Sequence, residues 1–136
     1  MTAQADECLK GLRPALIAGD FSGSVDCLHD SLSVRKIGTL GVREREFTVY
    51  DYRYKLAPVC DDCSIHGGQR VLIFDRGRYL GQYKPYKVRI TVEQGRLWLW
   101  PIDEREAPQA PVKVVPSSSG FPNEILVDGE VLSFFR

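Results

Sequence analysis

The sequence predicts an α+β fold, a short helical N-terminus packed on an antiparallel β-meander of about seven strands, as an open sheet or a partial barrel. Three observations lead there. Apolar residues recur at helical spacing in residues 3–18. From Leu32 onward the apolar period falls to two. Glycine-containing dipeptides then cut the chain into short runs, as hairpins require.

The first segment, "AQADECLKGLRPALIA", sets Ala5, Cys8, Leu9, Leu12 and Leu16 on one helical stripe, with Pro14 ending or kinking it. "SVDCLHDSL" is a second helical candidate, with Val25, Leu28 and Leu32 spaced for burial. "LSVRKIGTLGV" reads as a short strand broken by Gly38 and Gly41. In "FTVYDYRYKL" the strand is clearer: Phe47 and Val49 share one face, and Tyr50, Tyr52, Tyr54 and Leu56 share the other.

Three hairpins follow. The first runs from Arg70 to Asp75, turns at Arg76-Gly77 and returns from Arg78 to Tyr83. The second is "VRITV", Gln94-Gly95 and "RLWLW"; the third is "EILV", Asp128-Gly129 and "EVLSFF". Asp-Gly between apolar runs is the strongest of these signals, because both central residues of the turn need positive φ. In the second hairpin that turn pairs Val92 with Leu97 and Ile90 with Leu99 on one face. Thr91 then faces Trp98, and Arg89 faces Trp100, on the other. The proline- and serine-rich stretch between the second and third hairpins is a long loop with a short edge strand at Val112 to Val115.

A chain of 136 residues, 43% hydrophobic, makes one domain over residues 1–136. Its helical part covers about 3–31 and its meander about 32–136. Zero formal net charge argues against polyanion binding over the whole surface, and no apolar run is long enough to span a membrane. Ala3-Gln4-Ala5 has the small-x-small form that precedes a signal-peptidase cut, but also suits a helix start. The expectation leans to an extracytoplasmic compartment, with the cytoplasm as the alternative.

Four cysteines and both histidines cluster in "CLH" and "CDDCSIH". The leading expectation for Cys8, Cys27, Cys60 and Cys63 is disulfides, which suits an exporting compartment. Free buried thiols come second. Zinc is the third reading, with Cys60 and Cys63 as ligands joined by Cys27, His29 or His66, because thiolate and imidazole suit a borderline-soft ion. A second Cys-x-x-Cys is missing, so the expected cofactor is none and zinc is the alternative. A redox pair fits less well, since Gly67-Gly68 and a strand follow Cys63 in place of an activating helix.

No catalytic constellation emerges. "HGGQR" lacks the lysine and helix of a phosphate loop, and no Gly-x-Ser-x-Gly elbow occurs. Asp61-Asp62 and Asp103-Glu104 read as solvated loop charge, and a Cys63–His66 pair has no evident third group to orient it.

The remaining signal is cationic and aromatic. Arg70, Arg76, Arg78, Lys84, Lys87, Arg89 and Arg96 interleave with Tyr79, Tyr83 and Tyr86, and Trp98 and Trp100 lie close behind. The bland reading is a solvated sheet face on which arginines cover rings, Arg89 over Trp100 among them. Such a set also makes a protein-interface hot spot. It would serve a single-stranded nucleic acid too, although zero net charge counts against that partner. Tyr50, Tyr52 and Tyr54 are expected in the core, a small-ligand cavity being the alternative.

The expected function is therefore a small non-enzymatic domain acting by protein–protein recognition, of the inhibitor or immunity type. Its expected contact residues are Arg76, Arg78, Tyr79, Tyr83, Tyr86 and Trp100. The alternatives are a zinc-stabilised module, or a binder of a small ligand or single-stranded nucleic acid through the same hairpins.

Overall fold

The computed structural model describes residues 13, 33–56, 66–102 and 110–136. Strand accounts for 70% of it and helix for 1%, all in antiparallel sheets. The α+β expectation is corrected to an all-β architecture. The helical segments expected over about 3–31 lie, apart from Arg13, outside the described residues. No helix among the described residues is long and apolar enough to cross a membrane.

Among the described residues nine strands stand where about seven were expected: β1 (Ser33–Val42), β2 (Arg45–Leu56), β3 (His66–Asp75), β4 (Arg78–Tyr83), β5 (Val88–Glu93), β6 (Arg96–Pro101), β7 (Val112–Val114), β8 (Glu124–Val127) and β9 (Glu130–Ser133). They form a sheet β1-β2-β3-β4, a sheet β5-β6-β7 and the hairpin β8-β9. Turn chemistry explains the hairpins. Arg76-Gly77, Gln94-Gly95 and Asp128-Gly129 all take positive φ at both residues, which matches the strands' right-handed twist. The predicted pairing of the second hairpin is observed residue for residue, from Val92 with Leu97 to Arg89 with Trp100.

β1 departs from expectation. It is one continuous strand, with a register shift between Lys36 and Gly38 in place of a break. Here β1 lies beside β5, and a Cβ on Gly38 would stand 3.1 Å from Val92 Cβ. Absence of a side chain lets the two strands approach.

One core joins all three sheets. Leu40, Phe47, Val49, Val71, Ile73 and Tyr83 meet Val88, Ile90, Leu97, Leu99 and Val114, with Phe121, Val127 and Leu132 completing the cluster. The chain closes on itself behind β9, where Gln82 and Phe135 exchange two backbone hydrogen bonds of 2.7 and 3.0 Å. With β7 beside β8 and β1 beside β5, the strands form a partial barrel.

Polar residues hold its two ends. At one, the Gln69 side-chain amide donates to Val88 O (2.8 Å) and to Asp51 Oδ1 (2.9 Å) and accepts from Val88 N (3.0 Å). Asp51 is buried, and Arg53 donates to its other oxygen at 3.1 Å. At the other, Arg45 pairs with Asp75 at 2.7 Å, donates to Ser118 O and covers the Phe47 ring.

Candidate functional site

The six expected contact residues do not converge. Arg76 and Arg78 are exposed at the β3–β4 turn, where Arg76 Nη2 donates to Glu44 O at 2.6 Å. Tyr86 lies beyond the other end of β4 and is 86% exposed. Tyr79 and Tyr83 are buried and act within the fold. The Tyr79 hydroxyl accepts from Gln82 Nε2 at 2.8 Å, and its ring meets Phe74 edge-on at 5.6 Å. Tyr83 donates to Pro122 O at 2.6 Å from among Phe121 and Phe134. Of the tyrosine row, Tyr52 is buried and Tyr50 is half-buried, edge-on to Phe74 at 5.3 Å. Cys8, Cys27, Cys60, Cys63 and His29 lie outside the described residues. The backbone of His66 opens β3 opposite Leu56. Tyr54 also belongs to a strand, β2.

Trp100 leads to a different cluster. β5, β6 and β7 alternate in and out of the core, so their outward residues share one surface. Ile90, Leu97, Leu99 and Val114 point inward. Outward stand Arg89 opposite Trp100, Thr91 opposite Trp98, and Lys113 opposite Trp98 on the far side. Ile102 continues the β6 row and donates its N–H to Lys87 O at 3.2 Å.

The geometry of this face is specific. Trp98 and Trp100 are half-buried, 6.4 Å apart between ring centroids and tilted by 37°. The Arg89 guanidinium lies 4.8 Å above the Trp100 ring. Trp100 Nε1 donates to Thr91 Oγ1 at 2.9 Å, so the indole's polar atom is satisfied within the face. Arg89, Arg96 and Lys113 are exposed around the rings, with Glu93 opposite Arg96. Trp98, Ile102 and Lys113 stood outside the expected contact set. Their signal in sequence is the alternation Trp98, Trp100, Ile102, which puts three large apolar groups on the face opposite Leu97 and Leu99.

A small cleft adjoins this face. Val88, Val127 and Leu132 form its floor, Tyr86 and Ile102 stand at its wall, and Asp128 and Glu130 come from the β8–β9 turn. No family model, curated protein or solved structure matches this chain.

Proposed function

We propose that this chain is a non-enzymatic domain that recognises another protein through the outer face of β5, β6 and β7. The observation that carries the reading is the solvent-facing row Trp98, Trp100 and Ile102, flanked by Arg89 and Lys113. Tryptophan and arginine dominate the energetics of protein interfaces, and charge at the margin orients the approach. The bond to Thr91 and the stacked Arg89 hold Trp100 in one orientation, which lowers the entropy lost on binding. Single-stranded nucleic acid is disfavoured because the guanidinium already occupies a face of Trp100 that a base would need.

The test is quantitative affinity capture from an extract of the producing organism, with wild-type chain, the double variant Arg89→Glu/Lys113→Glu and the control Arg78→Glu. All three substituted side chains are exposed, so the fold should survive. A protein retained by wild type and control at least tenfold over the double variant supports the reading. Equal retention on all three, or none on any, overturns it. So does binding of a single-stranded oligonucleotide at low salt that the double variant loses.

A further inference from the structure

We infer that the cleft between Tyr86, Ile102 and the β8–β9 turn is an anchor site for one lysine or arginine side chain of the partner protein. Its volume is about 80 Å³. That is well below the roughly 300–1,000 Å³ of small-molecule pockets, and it suits a single side chain.

The lining is graded from apolar to anionic. Val88, Val127 and Leu132 are almost fully buried and present only hydrocarbon, which matches the methylene stem of a long cationic side chain. Asp128 and Glu130 bring two carboxylates, and among the described residues neither has an ion-pair partner. Lys87 also lines the cleft, leaving one net negative charge. Tyr86 projects its ring into solvent beside them, open to a cation on its face. Asp128 occupies the first position of a tight turn at φ 48°, so the backbone that carries it is held before a guest arrives.

Position supplies the second argument. Ile102 belongs both to the cleft wall and to the row that runs back through Trp100 to Trp98. The cleft is therefore continuous with the proposed recognition face, at an end where two carboxylates outnumber a single lysine. A partner that docks on that face and carries a basic residue beyond its end would be fixed in register.

The guest's identity as a partner's side chain rests on the proposed recognition role; the cleft's preference for an amphipathic cation does not. The two are separated by titrating the full chain with Nα-acetyl-arginine amide and following backbone amide resonances. The expected result is saturable shifts at Tyr86, Ile102 and Val127 to Leu132, with a Kd on the order of 1–10 mM. Asp128→Asn/Glu130→Gln should weaken binding at least tenfold, and asparagine tolerates the turn conformation. Arg78→Glu, exposed at the β3–β4 turn and absent from the cleft lining, should leave it unchanged. No localised shift, or equal binding of Nα-acetyl-norleucine amide, overturns the inference while leaving the capture experiment to judge the recognition face. Saturable binding with no captured partner would overturn the recognition role and keep the cleft as a cation site.

Discussion

Tyr83 and Gly81 show how much a single residue decides in this fold. Tyr83 is fully buried, and burial pushes its phenol well above the ordinary value near 10. Burial raises Tyr79 as well, against smaller opposing effects of the Gln82 hydrogen bond and the Arg136 and Arg70 charges. The folded chain thus holds these protons more tightly than the unfolded chain. Their contribution to stability is complete below pH 10 and is lost as pH rises toward the folded values. We expect a melting temperature insensitive to these groups up to about pH 9.5 and falling above it. Absorbance at 295 nm should show these tyrosines ionising only as the protein unfolds; smooth titration of all six tyrosines in the native state would contradict this. Gly81 has no room for a side chain: an added Cβ would lie 2.7 Å from Phe134 Cζ and 2.9 Å from Phe135 O. Gly81→Ala should therefore cost about 1–3 kcal/mol in urea denaturation, since backbone cannot yield as a flexible side chain can. Neither tyrosine's place was legible in the sequence. In a regular strand Tyr79 and Tyr83 would share a face. The register shift between Ile73 and Phe74 inserts Leu80, so Tyr79 pairs with Phe74, both buried on the other face of the sheet, and Tyr83 pairs with Val71 in the cluster that joins the sheets. A bulge leaves no mark on composition or period.

Among the elements, hairpins were legible and the contacts between them were not. Gln94-Gly95 sets the β5–β6 register, and that register sorts Trp98 and Trp100 from Leu97 and Leu99 without any tertiary information. The same turn is open to improvement, because Gln94 takes φ 52° and asparagine tolerates that region better. Gln94→Asn should raise stability by about 0.5 kcal/mol in chemical denaturation, with no change in register. Gln69 is the opposite case. A buried glutamine in a strand gives no hint that its amide will bond both the N–H and the C=O of Val88, nineteen residues on. The amide ties β3 to the start of β5, where the two sheets share no ladder. Gln69→Leu would leave the Val88 N–H without its partner and remove one donor from buried Asp51. The expected loss is about 2–4 kcal/mol, larger than for a typical surface change, because the orphaned groups stay desolvated. A loss under about 0.5 kcal/mol would mean that water reaches this end of the barrel.

For the whole molecule, period two identified nearly every strand from Leu32 onward, yet local pattern carries no information about how distant strands meet. β1 beside β5 and the Gln82–Phe135 pair join segments far apart in sequence, and β7 meets β8 across an irregular connection. These seams depend on particular residues: Gly38 at the first, and Phe134 packed on Tyr83 at 5.0 Å and on Phe121 at 6.1 Å at the second. Because one cluster of buried side chains crosses every seam, the barrel should unfold as a unit. The aromatic distribution makes this measurable. Both tryptophans lie on β6, whereas Tyr50, Tyr52, Tyr79 and Tyr83 lie on β2 and β4, so tryptophan fluorescence and tyrosine near-ultraviolet dichroism report on different sheets. We expect coincident urea transitions from the two probes. Phe134→Ala opens the closing seam at a half-buried position and should cost about 2–4 kcal/mol. It should move both midpoints equally, although Phe134 belongs to neither reporting sheet. If the tyrosine signal moved and the tryptophan signal stayed, closure through the C-terminal residues would stabilise only the four-stranded sheet. The surface of β5, β6 and β7 would then stand on a separately folding unit. Equal movement instead means that the proposed recognition face is held rigid by contacts made at the seam that Phe134 closes.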